Sequence, residues 1–90
     1  MEFEWDEGKA KLNLKKHKTS FHEAATVFGD ALAITFDDPD HSVGENRFIT
    51  FGLSRFNRLL IVSHTQRQGK MRIINSRPMT KQERKIYEKG

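Results

Sequence analysis

The residues of this chain best able to do chemistry are cations and one imidazole gathered in its second half: His64, Arg67, Lys70, Arg72, Arg77, Lys81, Arg84 and Lys85. Guanidinium forks match phosphate oxygens in a bidentate geometry, an ammonium supplies a point charge, and histidine is the side chain that changes charge near neutral pH. A hairpin that set Ser63–Thr65 beside Lys70–Arg72 would offer a phosphate both kinds of group at one edge. That set suffices for RNA cleavage without a metal. A base removes the 2′-OH proton, an arginine stabilises charge growing on the pentacoordinate phosphorus, and an acid protonates the departing 5′-oxygen. It suffices equally for a non-catalytic basic module that binds nucleic acid or a protein partner, and on spacing alone binding outweighs catalysis.

Other chemistries find less support. His17 and His22 fall on either side of an expected helix break, His41 lies in an acidic stretch and His64 ends a strand, so no histidine pair has the one-turn helical spacing of a zinc site. Asp38, Asp40 and Glu45 with Gly44 have the composition of a calcium loop but the wrong register, because the glycine should follow the third alternating ligand and the closing Glu should lie well beyond it. Gly52, Ser54 and Gly69 are too scattered for a phosphate loop or a serine elbow. The chain has no cysteine, which removes disulfides, thiolate zinc and thiol nucleophiles and fits a reducing, cytoplasmic setting. No metal and no cofactor are expected. Of the aromatics only Phe56 and Tyr87 should stand exposed near the cations, too few for a base-stacking platform, while Phe3 and Trp5 read as core.

The net charge of +4 is modest, but its distribution is not even. Residues 30–46 hold Asp30, Asp37, Asp38, Asp40 and Glu45 with no Lys or Arg, and beyond Arg47 basic residues dominate to the end. A basic half beside an acidic segment fits a polyanion-binding face with a self-screening loop or a partner-docking patch.

Ninety residues of ordinary globular composition predict one domain over 1–90, with a thin core drawn largely from seven Phe and one Trp. The longest apolar run, Leu59–Val62, is far short of the roughly 20 residues of a membrane span, so no membrane role is expected. After a short alternation at Phe3–Trp5, Asp6 is placed to cap a helix running to about Lys16. Ser20 with Glu23 predicts a capping box for a second, shorter helix carrying Phe21, Ala24, Ala25 and Phe28 and stopped at Gly29. Strands are expected over 31–36, 47–53, 58–65 and 70–77, the last three as an antiparallel meander; Pro78 ends the meander, and Thr80 with Glu83 caps a C-terminal helix. Turns of even length would pair Thr50 near Ile61 and Val62 near Ile73, putting Ile49, Phe51, Leu60, Val62 and Ile73 on one core face. The opposite face would then expose Phe48, Leu59, Ile61 and Ile74 beside a cationic rim, a patch suited to a protein partner.

In combination these residues resemble the BrnT family of bacterial type II toxins over nearly the whole chain. The resemblance is carried by Phe3-Glu4-Trp5-Asp6-Glu7, Lys9, Asn13, Lys16-His17, Ser20-Phe21 and Glu23-Ala24, then Asp38-Pro39, Glu45 and Arg47, Thr65 and Arg67, Arg72-Ile73-Ile74, Arg77, and Thr80 with Glu83-Arg84 and Tyr87. The chain departs from it at Lys18, where the family often has Gly, and at Asn75-Ser76, where it often reads Ser-Ala. The resemblance implies an α+β, RelE-like fold, with two N-terminal helices on an antiparallel sheet and a short C-terminal helix. It implies a ribonuclease that halts translation, neutralised by a ribbon-helix-helix antitoxin of the BrnA type, commonly as a heterotetramer with two copies of each chain that reaches DNA only through the antitoxin. The resemblance carries over only Arg72 and Arg77 as phosphate or transition-state cations, with His64 as an acid or base; the charge cluster itself gives Arg67, Lys70, Lys81 and Arg84 as the surrounding nucleic-acid-binding surface.

Overall fold

The computed structural model describes all of residues 1–90. Phe3–Glu4 forms a short strand, β1. Asp6 has extended backbone and its side chain accepts from the Lys9 amide, so helix α1 begins at Glu7 and runs to His17. Lys18 ends it in the left-handed region, φ 60, with its amide bonded to the Leu14 carbonyl. That is the position where Gly is the usual solution, because a Cβ there crowds the following carbonyl.

Helix α1 buries little apolar surface. Its buried residue is Asn13. The Asn13 carboxamide donates to the Ser76 carbonyl at 2.9 Å and accepts from the Ser76 amide at 3.1 Å, while also donating to Thr19. A single side chain thus supplies both backbone bonds that a neighbouring strand would have made, which is why an amide tolerates a helix interior here.

Helix α2, Phe21–Thr26, starts at Ser20, whose hydroxyl accepts from the Glu23 amide, and tightens into a 3-10 turn over Val27–Gly29. The expected capping box is only half made. Glu23 turns away from its own helix toward Arg58, which binds it through Nε and one terminal nitrogen, and toward the Ser54 hydroxyl at 2.7 Å. Arg58 also donates to the Lys18 carbonyl at 2.8 Å, so one ion pair ties the end of α1, the start of α2 and a turn of the sheet together.

Four further strands follow: β2 (Ile34–Asp37), β3 (Arg47–Leu53), β4 (Leu59–Arg67) and β5 (Lys70–Pro78), and then helix α3 (Lys81–Lys89) with the capping box between Thr80 and Glu83 complete. The sheet order is β1-β5-β4-β3-β2. The meander is antiparallel as expected, but β1 pairs parallel with β5, so the sheet is mixed. Nearly the whole chain lies between those two strands, which is the long crossover that parallel pairing requires.

Two turns decide which residues face which way. The β4–β5 hairpin closes on Gln68-Gly69 alone, at φ 53 and 79, a conformation that matches the twist of tightly joined strands. Between β3 and β4 the connection is Ser54–Arg58, of odd length, and Thr50 pairs with Val62 rather than near Ile61. A slip of one residue turns every side chain of a strand over. Ile49 and Phe51, expected beside Leu60 and Val62, therefore lie on the opposite face. The Gln68-Gly69 turn sets His64 against Ile73, and a bulge at Ser63/His64 then sets Val62 against Ser76.

The face under α1 and α2 holds the main core, in which Leu60, Val62 and Ile73 pack with Phe21, Ala24 and Val27, flanked by Phe3, Trp5 and Phe28. Fully burying each large side chain is worth about 1.5–3 kcal/mol. Gly52 belongs to this face, where an added Cβ would meet Val27 Cγ1 at 2.5 Å. On the other face Phe51 and Ile61 pack with Met79, flanked by Ile49, Leu59 and Tyr87, so the start and one side of α3 close that end of the sheet. The expected apolar docking patch does not form: Ile61 is 3% exposed beneath this cover, and Phe48 points to the other side against His64.

Candidate nucleic-acid site on the open sheet face

Beyond the part closed by α3, the same face continues along three strands. Register places Arg47 of β3 opposite Thr65 of β4, Thr65 opposite Arg72 of β5, Ser63 opposite Asn75, and Ile61 opposite Arg77. Residues paired across antiparallel strands share a face. Arg72 and Arg77 accordingly stand on one side of one strand, flanking Asn75, with Arg47 across the sheet.

Carboxylates already occupy most of these cations. Arg77 gives both terminal nitrogens to Glu83, each at 2.8 Å, and Arg72 gives one to Glu4 at 2.8 Å. Arg67 meets Glu45 at 3.1 Å and Lys70 meets Glu2 at 3.9 Å. The Arg77 fork holds the Glu83 carboxyl down at about 2, with the Thr80 amide adding to the effect, and the Arg77 guanidinium is raised in return. Lys81 and Arg84 are exposed on α3 with no carboxylate bound. All six cations expected to form the basic surface are thus on or beside this face and α3.

His64 is not with them. It belongs to the opposite face, 4% exposed, with Phe28 edge-on at 4.9 Å and Phe48 stacked at 5.8 Å between ring centroids. Its Nε2 lies 2.7 Å from the Thr50 hydroxyl, which in turn lies 2.7 Å from that of Thr35, and its Nδ1 is buried without a partner. Burial pushes the imidazole down from 6.5 to about 4, so it is neutral at physiological pH. It forms part of the wall of a cavity of about 660 Å³, with Phe28, Phe48, Gln66 and Met71 among its neighbours. The single hairpin edge expected for imidazole and arginines does not form: the two-residue turn pairs Thr65 with Arg72 and so turns His64 to the other face, and the bulge in β5 then carries Arg77 to the face of Arg72.

One arrangement on the open face was passed over in the sequence. The segment from Asp38 to Arg47 is pinned at both ends: the Asp38 amide donates to the Arg47 carbonyl at 2.9 Å, and the Ser42 hydroxyl donates to the Asp38 carbonyl at 2.7 Å while accepting from the Arg47 amide at 3.0 Å. Within it the 3-10 turn Pro39–His41 brings His41 Nδ1 to 2.9 and 3.1 Å from the two carboxylate oxygens of Asp38. Asp38, His41, Arg47, Ser63, Ile74 and Asn75 line one cavity of about 220 Å³. The signal was available as Asp-Pro followed closely by His, but the acidic surroundings read as a solvated loop. No group of three or more His, Cys, Asp or Glu side chains anywhere in the chain is placed to hold a metal ion, and no helix is long and apolar enough to cross a membrane.

Two helices on one face of a mixed sheet and an arginine-lined remainder on the other define a small α+β domain with one basic, open sheet face. The chain belongs to the BrnT family, ribonuclease toxins of type II toxin-antitoxin systems, whose model matches residues 5–83. It is similar in structure to the Brucella abortus ribonuclease toxin BrnT, with a TM-score of 0.70 at 19% sequence identity over 90% of this chain and 99% of that one. No curated protein matches it.

Proposed function

We propose that this ribonuclease toxin is a metal-independent endoribonuclease that binds RNA across the open sheet face, breaks it by internal transesterification and so inhibits translation. The observation that carries this reading is the placement of Arg72 and Arg77 on one side of β5, around the polar pair Ser63 and Asn75 and opposite Arg47. A phosphate lying along β5 would draw the two forks from their carboxylates, and the charge that grows on phosphorus would strengthen both contacts in the transition state. Arg67, Lys70, Lys81 and Arg84 would follow the flanking phosphates. His64, neutral and on the far side, serves this reading as part of the β3–β4 packing rather than as the acid or base.

The RelE-like description fits the same architecture of helices on one face and a basic sheet surface on the other. The partner in this reading is a ribbon-helix-helix antitoxin of the BrnA type, two copies with two of this chain, through which alone the complex reaches DNA. The intrachain pairs of Arg72 with Glu4 and of Arg77 with Glu83 support a partner whose acidic segment covers the same two forks. Inhibition would then remove substrate access without unfolding the toxin.

The test is cleavage of RNA, free and ribosome-bound, by the purified chain in the presence of EDTA. Cleavage should leave 2′,3′-cyclic phosphate ends and should fall by about 10²–10³ in Arg72→Ala, the usual cost of one lost transition-state donor. Arg72→Lys should recover only part of it, since the charge remains and the fork does not. Binding of RNA without cleavage by the wild-type chain would favour the non-catalytic basic module instead.

A further inference from the structure

We propose that Asp38 and His41 form an acid–base dyad for the RNA cleavage proposed above, with His41 taking the 2′-hydroxyl proton and Arg47 meeting the reacting phosphate. The inference rests on that ribonuclease reading and supplies the proton acceptor that it lacks, because His64 lies behind the sheet.

Three observations converge. The Asp38 carboxylate accepts from His41 Nδ1, which fixes the tautomer in which Nε2 carries the free lone pair. The His41 side chain is 68% exposed, while that of Asp38 is 15% exposed, so the orienting group is sheltered and the reacting nitrogen can reach a substrate. Arg47, at the other end of the same pinned segment, differs from the arginines of β5: its Nε is buried without a hydrogen-bond partner, and its ion pair with Glu45 is a loose one at 3.7 Å, too long for a hydrogen bond. Its fork makes no hydrogen bond to a carboxylate, whereas those of Arg72 and Arg77 do. The cavity shared by Asp38, His41, Arg47, Ser63 and Asn75 opens on the stretch of sheet between Arg72 and Arg77.

In the step itself, His41 Nε2 accepts the 2′-OH proton, the 2′-oxygen forms a bond to phosphorus, and the bond from phosphorus to the 5′-oxygen breaks. The 5′-oxygen takes a proton from water, and the hydroxide so formed takes the proton held on His41, which restores water and the neutral imidazole. The products are a 2′,3′-cyclic phosphate and a 5′-hydroxyl, and no oxidant, metal or co-reactant is required. Asp38 is the positioning residue, holding the imidazole in its productive tautomer and stabilising the imidazolium that forms.

The experiment compares wild-type chain, His41→Gln and Asp38→Asn on one RNA oligonucleotide and on the same oligonucleotide carrying a bridging 5′-sulfur at the cleaved phosphate. His41→Gln should lose about 10²–10⁴ in kcat, the range of a general base, with KM and thermal midpoint unchanged. Asp38→Asn, isosteric but unable to stabilise the imidazolium, should also fall in kcat rather than rise in KM. The sulfur substrate, whose leaving group needs no protonation, should not rescue His41→Gln. Equal cleavage by wild type and His41→Gln overturns the dyad while leaving the ribonuclease reading standing. Rescue by sulfur overturns the base assignment, and a lowered thermal midpoint with unchanged kcat reduces the pair to a turn contact. Failure of the wild-type chain to cleave either RNA overturns the ribonuclease reading and the dyad with it.

Discussion

Arg77 and Glu83 are joined by two parallel hydrogen bonds of 2.8 Å across the connection from β5 to α3, and Glu83 Oε1 also accepts from the Thr80 amide at 2.8 Å. One carboxylate therefore caps the helix and docks it on the strand that carries the proposed phosphate-binding cations. Tyr87, further along α3, reaches back to Asp30 at 2.7 Å.

Arg77→Ala should consequently do two things where Arg72→Ala does one. Beyond any loss of cleavage, it should destabilise the domain by about 1 kcal/mol, since the fork and part of the capping geometry go together at a partly exposed site. Urea unfolding monitored by far-UV circular dichroism checks this. Equal midpoints for Arg77→Ala and wild type would show that the fork does not hold α3.

Asn13→Ala should be among the most damaging polar substitutions in the chain. It strands the buried amide of Ser76, at about 1–3 kcal/mol for an unsatisfied group, and leaves the Ser76 carbonyl with the Thr19 hydroxyl alone. Asn13→Asp should be comparably harmful, because the amide donor to Ser76 and Thr19 is lost. A change below about 0.5 kcal/mol in urea titrations would contradict the role of Asn13 as a substitute strand.

Stability should fall in acid in two stages. His64 has a folded value of about 4 against 6.5 for the free side chain, so its protonation favours the unfolded chain; its contribution is complete above 6.5 and erodes as pH drops toward 4, by on the order of 3 kcal/mol in total. Glu83 has a folded value of about 2 against 4.5, so its contribution is present above 4.5 and is lost between there and 2. Glu23, lowered by Arg58 and Ser54, acts in the same direction. Thermal midpoints measured from pH 7 to 3 should show the first stage flattened in His64→Gln and the second in Glu83→Gln.

Lys18→Gly should stabilise the chain by about 1 kcal/mol. The residue ends α1 at φ 60, and glycine adopts that conformation without the Cβ penalty. Its carbonyl, which accepts from Arg58, is retained. A lower midpoint for Lys18→Gly in thermal unfolding would mean that the lysine side chain contributes more than its backbone strain costs.

What the sequence determined by itself is largely local. Asp6, Ser20 and Thr80 each cap the helix they precede, because a cap depends on residues within one turn. The strands over 47–53, 59–67 and 70–78 follow from runs of β-branched and aromatic residues, and the family could be recognised because its motif residues mark these same caps and strands. The facing of those strands was decided elsewhere. Whether Ile49 sits with Val62 or with Ile61 depends on the parity of the Ser54–Arg58 connection, whether His64 sits with Arg72 depends on the length of the Gln68-Gly69 turn, and whether Arg77 joins Arg72 depends on one bulged residue in β5. None of these is a property of composition or period, because a single extra residue reverses a face at almost no change in local preference. The partners of Asn13, Glu23 and Arg77 are likewise settled only when distant segments meet: an amide in a helix, a carboxylate at a cap and an arginine on a strand each look self-sufficient until the sheet edge, the turn and the last helix come within bonding distance.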